Sequence, residues 1–386
     1  MNMTTKTTIY EEHLAAYQKG SKAEKSDILD AVCRVVNMPR KSVIRRFNTL
    51  RKRSVHWKDK RGGTEVYNAA VVAALNDVWE LSGQICAERI KDKIPEYVRQ
   101  LRCAHAWKHA IETTLLLFQM SLGTLKNKIE AFDKPFGRRG LSATNSSGIR
   151  EIIPVRRGPW NNPSPGYGEI DTVAHCGSDL RGDYCFTVQY TDVSVIWTGL
   201  AAQWNKGEKA TKDSIIRIQE RLPFPLLGLD PDSGGEFINW HLLEWAQRQT
   251  PPIILTRTRP YMKNDHARIE QKNYVNVRKW TRYERFDNPN DVLLLNQLYQ
   301  ALEDYINFFI PSVKCVKKIR HPHKRTKRVY DAPQTAYERV LSHKDIDPKV
   351  KKRLKAKYAT LSMVELKQTI DQLTKKLFSR KRTVLR

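Results

Sequence analysis

A change of hydrophobic period near residue 165 constrains this chain more than any other feature. Before it, apolar residues recur at three- and four-residue spacing, as in Ile28, Leu29, Val32, Val35 and Val36, the stripe of an amphipathic helix. After it, Glu169–Ala174 alternates, and Asp183–Tyr190 and Ser194–Leu200 follow as strand-length runs rich in β-branched and aromatic residues. Short turns link these three, so an antiparallel meander is expected. A helix over Glu208–Arg221 is stopped by Pro223 and Pro225. A short strand at Leu226–Asp230, a helix at Gly235–Gln249, a fifth strand at Pro252–Thr256, a loop at Arg257–Lys263 and a long helix from Asp265 to about Tyr283 complete the pattern. The helices before the fourth and fifth strands allow parallel pairing there. The expected fold class is multidomain: an N-terminal all-α region, a central α/β core with a mixed five-stranded sheet flanked by helices, and a small basic C-terminal region with helices.

The chain has 386 residues, room for two or three domains with cores of their own. Its longest unbroken apolar run, Ala69–Leu75, has seven residues, far short of the roughly 20 that span a bilayer. Met1–Lys6 lacks the apolar core of a secretory leader. The six cysteines form no close pair, so reduced thiols, a cytoplasmic and nucleoid-associated location and no membrane partner are expected. Cys86, Cys103, His105 and His109 match no zinc-finger spacing. The net charge of +27 is unevenly spread. Residues 1–150 hold 27 Lys+Arg against 15 Asp+Glu, residues 151–310 hold 18 against 20, and residues 311–386 hold 23 against 6. Two basic wings around a near-neutral centre suit grips on a polyanion, duplex DNA first.

In the first wing, Ala23–Val36 and Arg40–Arg51 read as helices joined by the turn Asn37-Met38-Pro39, with Pro39 placed to start the second. Helix, tight turn and basic helix form the helix-turn-helix pattern, which makes Arg40, Lys41, Arg45, Arg46 and Arg51 candidate DNA contacts. A small bundle with a solvated basic face would show the same residues. A second such pair is formed by apolar Thr113–Gln119 and a helix capped by Ser121 and running to about Phe132, with Lys126, Asn127 and Lys128 outward. Gly- and Ser-rich basic sequence follows as a linker. The expected domains are residues 1–62, 63–135, a linker at 136–164, a core at 165–310 and a basic region at 311–386.

Three acids stand at distinctive places in the core: Asp171 in the first strand, Asp232 just after the fourth, and Glu270 on the long helix. If the first and fourth strands are neighbours and the helix crosses their ends, the three carboxylates converge. Converging carboxylates repel unless a cation sits among them. Mg²⁺ or Mn²⁺ suits such an all-oxygen set, and two ions would serve phosphoryl transfer. Glu169, on the same strand face as Asp171, and Asp230, just before the turn, are the rival ligands. Glu236 reads as a helix N-terminal acid, Asp265 as an N-cap, Asp183 and Asp192 as solvated turn residues, and His175 and Cys176 as having no metal role.

The run Asp171…Asp232-Ser233-Gly234…Glu270-Gln271-Lys272-Asn273, approached by Arg259-Pro260-Tyr261-Met262-Lys263-Asn264-Asp265-His266-Ala267, resembles the catalytic core of DDE transposases with a retroviral-integrase-type, RNase H-like domain. It is similar to transposases of bacterial insertion sequences. The resemblance implies that Asp171, Asp232 and Glu270 hold two Mg²⁺ (or Mn²⁺) ions, with Asn273, one turn after Glu270, beside them as a fourth catalytic residue. Retroviral integrases place lysines one and two turns after the glutamate. Here Tyr274 and Val277 stand there, in one stripe with His266, Glu270 and Asn273, while Arg268, Lys272 and Lys279 fall on the opposite face. DNA contacts are therefore assigned to Arg257, Arg259 and Lys263. The implied activity is a DNA transposase acting on terminal inverted repeats and target DNA, without a covalent protein–DNA intermediate or a nucleotide cofactor, and at least dimeric on DNA. The alternatives are a nuclease that cuts without joining and a catalytically silent DNA-binding regulator.

In the second wing, Asp291–Ile310 reads as a helix packing on the core. Lys314–Arg328 then holds Lys314, Lys317, Lys318, Arg320, Lys324, Arg325, Lys327 and Arg328 with no acid. These are candidate DNA contacts, each adding about 0.9 to the salt slope on a duplex. Ser362–Glu365 reads as a capping box opening a helix with Leu366, Ile370, Leu373 and Leu377 on one face, suited to its own chain or to another subunit.

Overall fold

The computed structural model describes residues 3–52, 66–132, 153–156, 163–231, 234–257, 272–321 and 324–384. The chain divides into two compact units, Met1–Val66 and Tyr67–Arg386.

The first unit contains α1 (Met3–Lys19), α2 (Lys22–Val36) and α3 (Arg40–Arg51). A capping box opens α2: the Ser21 hydroxyl accepts from the Glu24 amide, and the Glu24 carboxylate accepts from the Ser21 amide. Asn37 ends α2 in the left-handed conformation at φ 51°, which Asn tolerates better than most residues, and the chain turns at Pro39 into α3. Leu29, Val32, Val36, Val43, Phe47 and Leu50 are buried with Tyr10. Tyr17 stacks on Phe47 at 4.5 Å between ring centroids.

The second unit opens with helices α4 (Ala69–Leu81), α5 (Ala87–Ile90), α6 (Ile94–Cys103), α7 (Ile111–Gln119) and α8 (Leu122–Glu130). Ser121 caps α8, as its position predicts. Strands β1 (Tyr167–Ala174), β2 (Cys185–Asp192) and β3 (Thr198–Trp204) form the meander. Helix α9 (Glu208–Arg221), β4 (Gly228–Pro231), α10 (Trp240–Gln247) and a two-residue β5 (Ile254–Leu255) follow. The sheet order is β3-β2-β1-β4-β5, antiparallel across the meander and parallel from β1 to β4 to β5. This is the mixed five-stranded sheet expected from the sequence, with β1 at its centre. Helix α11 runs as a wide π-helical turn, Asn273–Arg278, into Lys279–Thr281. After it come α12 (Asp291–Phe309), β6 (Cys315–His321), β7 (Lys324–Tyr330), α13 (Ala336–Ser342), α14 (Pro348–Thr360) and α15 (Met363–Val384). One continuous set of buried apolar side chains runs from Val71 in α4 through the sheet to Leu377 in α15. Helix α15 packs on α12 of its own chain.

The outer edge of β3 would leave main-chain donors and acceptors unpaired in the interior, which costs about 1–3 kcal/mol per group. Helix α12 seals it with side chains. Asn307 accepts from the Thr198 amide and donates to the Thr198 carbonyl, both at 2.8 Å. Asn296 does the same for Ala202, at 2.9 and 3.1 Å. At Leu200 the task is divided: Glu303 accepts from the amide at 2.6 Å and Arg221 donates to the carbonyl at 2.7 Å. The carboxylate and guanidinium bind each other at 2.9 Å. Burial pushes the Glu303 carboxyl up, and Arg221 pulls it back toward ionisation.

Two sequence expectations are corrected here. Asp192 is not a solvated turn residue. It is fully buried and accepts from the amides of Gly166, Ser194 and Val195 and from the Tyr190 hydroxyl, and burial lifts its pKa to about 6. Glu236 does not start a helix, because α10 begins at Trp240 with Asn239 as its cap. Instead it accepts from Thr172 at 3.0 Å and pairs with Lys206 at 2.8 Å.

Replacing Asn307 by Ala strands two buried main-chain groups. Urea unfolding should show a loss of about 2–4 kcal/mol, and a smaller loss for Asn296→Ala, whose side chain is only half-buried.

Candidate active site

Asp171 sits near the middle of β1, half-buried. Its Oδ1 accepts from the Thr172 amide at 2.8 Å, and its Oδ2 accepts from the Asn273 side-chain amide at 2.7 Å. The second bond ties α11 to the central strand. Asp232 and Glu270 lie outside the described residues, as do Arg259 and Lys263. Their flanks are placed. Pro231, the residue before Asp232, pairs in parallel register with Ile170, the residue before Asp171. Asn273, three residues after Glu270, is the one that reaches Asp171. Among the described residues, no three His, Cys, Asp or Glu side chains converge on one point.

The rival Asp230 is committed elsewhere. It is fully buried, held by Arg156 at 2.6 Å, and accepts from the Thr256 hydroxyl at 2.6 Å. Arg156 belongs to a short segment that lies along the sheet, bridging Val155 to Arg257. Glu169 is buried beside Asp230 in register. His175 bonds Thr187 at 2.7 Å, with Phe286 edge-on at 5.3 Å, and is an interior histidine.

Two buried amides, one opposite Asp171 and one further along α11, carry no helical or strand signal that sequence reading could use. Gln189 pairs with Asp171 across β1 and β2, so both side chains share a sheet face. It is fully buried, and neither amide atom has a partner among the described residues. Asn276 is also fully buried, donating to Thr198 at 3.3 Å, while Tyr274 is 42% exposed. The inward stripe read from the sequence places Tyr274 in and omits Asn276. A search for apolar periodicity cannot nominate a buried amide, and the wide turn of α11 alters the angular spacing. Among the described residues the Oδ1 of Asn273 is buried without a partner as well. Unpaired buried polar atoms are uncommon and call for an explanation; of these residues, Asn273 bonds Asp171 and Gln189 stands opposite it in register.

Beyond Tyr274 an open groove of about 530 Å³ runs between the end of α4, α11 and α15. Lys279 lines it, half-buried. Burial, then the charges of Arg89 and Lys367, lower its pKa to about 8.

The candidate DNA contacts divide by what they already hold. Lys41, Arg45 and Arg51 are exposed on α3. Arg40 turns back to Asp30 and to Ser26 at 2.7 Å, and Arg46 donates to Thr7 at 3.3 Å. Lys126 pairs with Glu88 at 2.7 Å, and Asn127 is exposed beside it. Lys128 is half-buried. Arg257 donates to the Ile153 carbonyl at 3.0 Å. Lys317, Lys318, Lys327 and Arg328 are exposed on β6 and β7; Arg320, Lys324 and Arg325 lie in the same strands.

No family model matches the chain. It is 32% identical over 324 residues to an uncharacterized protein, y4rM, of Sinorhizobium fredii, covering 83% of this chain and 91% of that protein. Among solved structures it aligns with an intasome of simian T-cell lymphotropic virus in complex with PP2A regulatory subunit B56 gamma. That match has a TM-score of 0.29 and 14% identity over 61% of this chain and 87% of the other. A superposition that loose assigns neither fold nor activity. No helix among the described residues is long and apolar enough to cross a membrane.

The groove lysine gives a pH test. A lysine whose folded pKa lies below its unfolded value costs nothing above about pH 10.5, a growing amount as pH falls from there to about 8, and the full amount below. Lys279→Met should therefore be more stable than wild type in urea at pH 6–7, by on the order of 1 kcal/mol, and should lose that advantage near pH 10.5.

Proposed function

This chain belongs to the family that includes y4rM of Sinorhizobium fredii, and we propose that it is a DNA transposase of the DDE type. It binds the terminal inverted repeats of its element, hydrolyses the phosphodiester at the element ends and joins the freed 3′-OH to target DNA. The observation that carries this reading is the bond from Asn273 to Asp171, because it brings the helix that follows Glu270 onto the carboxylate of the central strand. The parallel pairing of β1 with β4, in register up to Pro231, supports it from the other side.

The donor set fits a hard divalent cation. Asp171 offers a half-buried carboxylate, Asn273 bonds it through its amide nitrogen, and Gln189 stands opposite it in register; carboxylate and amide oxygens are ligands of the kind Mg²⁺ and Mn²⁺ take. Asp171, Asp232 and Glu270 are the residues that would hold two such ions. When bound, the ions activate an attacking oxygen and stabilise a leaving one. The chain's own groups do the positioning. Asn273 fixes one oxygen of Asp171, the Thr172 amide fixes the other, and Glu236 with Lys206 clamps the opposite face of β1 through Thr172. Exposed Lys41, Arg45 and Arg51 are the DNA contacts of the first unit. Joining two ends requires at least a dimer on DNA. No nucleotide cofactor is needed, and no Ser or Tyr nucleophile is assigned.

The test is a strand-transfer assay with a labelled duplex bearing the ends that flank the gene, a plasmid target and Mg²⁺ or Mn²⁺. Metal-dependent joined product is expected. Asp171→Asn, Asp232→Asn and Glu270→Gln should each lower joining by about 100-fold or more while end binding changes little. Asn273→Ala, which removes an orienting group, should cost roughly 10–100-fold. Cleavage without joining would replace the transposase by a nuclease, and tight end binding without chemistry by a regulator.

A further inference from the structure

The basic stretch after α12 is a hairpin: β6 and β7 pair with each other and pack broadly on no other described element. Its base is firmly rooted. The Lys314 amide donates to Asp331 Oδ1 at 2.6 Å, the Asp331 amide returns a bond to the Lys314 carbonyl at 3.0 Å, and Arg339 holds Asp331 at 2.6 Å and the Ser312 carbonyl at 2.9 Å. Beyond that base, residues 315–330 carry seven Lys and Arg and no acid. Lys318 stands directly opposite Arg328, and like charges so placed destabilise a strand pair. An isolated two-stranded ribbon is marginal to begin with. The exposed Lys317, Lys318, Lys327 and Arg328 make no ion pair among the described residues. Here is an anchored blade whose own charges oppose its pairing, which a polyanion would relieve.

The distribution of charge selects the polyanion. Lys318 and Arg328 share one face, and their chain neighbours Lys317 and Lys327 therefore point to the other. A planar anionic surface could engage only one face. A groove with phosphates on both walls engages both. We propose that the β6–β7 ribbon inserts into the major groove of duplex DNA, with Lys318 and Arg328 toward one phosphate backbone and Lys317 and Lys327 toward the other. Two strands about 4.8 Å apart, with their side chains, fit a groove about 12 Å wide, whereas the major groove of an RNA duplex is too narrow and deep. This rests on the DNA-binding part of the reading above and needs none of its chemistry.

The test uses the full chain, a short fluorescent duplex of mixed sequence and anisotropy over a salt series. Changing Lys317, Lys318, Lys327 and Arg328 together to Gln should lower the slope of log K against log salt by roughly 3 to 4. All four are exposed, and an unshifted thermal unfolding curve confirms that the variant is folded. Bulky glucosyl groups on cytosine, which fill the major groove, should weaken the wild type by a larger factor than the variant, whose α3 contacts are intact. A minor-groove ligand should leave wild-type affinity unchanged. An unchanged slope, equal binding to the glucosylated duplex, loss to the minor-groove ligand, or equal binding to duplex RNA or anionic vesicles would each overturn the proposal. The Asp171→Asn protein separates the two readings. Groove-dependent binding in a chain that never joins DNA leaves the ribbon standing and the catalytic reading fallen; joining by a chain indifferent to the groove block does the reverse.

Discussion

The sealing of the β3 edge by α12 is the interaction on which the rest of the second unit depends. A five-stranded sheet has two open edges, and buried main-chain groups left there would cost more than most domains have to spare. Asn307, Asn296 and the Glu303–Arg221 pair act as side-chain substitutes for a sixth strand. The other edge is handled by brevity, since β5 has two residues and Arg257 bridges to Val155. With both edges closed, β1 is held at the centre and Asp171 is presented from a strand that cannot shift register without breaking the pairing on either side.

That rigidity explains how one hydrogen bond can define a site. Thr172 and Asp171 point to opposite faces of β1, and each is tied to an element beyond the sheet: Thr172 to Glu236, Asp171 to Asn273. The face bearing Asp171 is polar and incompletely satisfied, with Gln189 and Asn273 each keeping a buried amide atom unpartnered among the described residues. Natural proteins tolerate such atoms chiefly where function requires them. Elsewhere in the interior, Asp192, Asp230 and Glu303 are each surrounded by donors.

What the sequence made legible follows from which forces are local. Strand and helix order, the Asn37 turn, the Ser121 cap and the parallel neighbours β1 and β4 all follow from period, cap chemistry and crossover rules. The solvated reading of Asp192 failed because its donors come from residues up to 26 positions away. Asp230 was only a rival to Asp232 in the sequence, and its commitment to Arg156 comes from a residue 74 positions away. The pairing of Gln189 with Asp171 is a fact of register, which no single stretch encodes. The basic run at 314–328 was legible as charge but not as a ribbon, because its alternation is of Lys and Arg rather than of apolar and polar residues.

The central claim is that Asp171 anchors a divalent-cation site closed by the α11 helix. Diffraction from crystals of the full chain soaked in Mn²⁺, with anomalous differences measured at a wavelength where manganese scatters strongly, tests it most directly. The account predicts an anomalous peak within bonding distance of Asp171, lost in the Asp171→Asn protein under the same soak. Manganese bound elsewhere, or none beside Asp171, would contradict it.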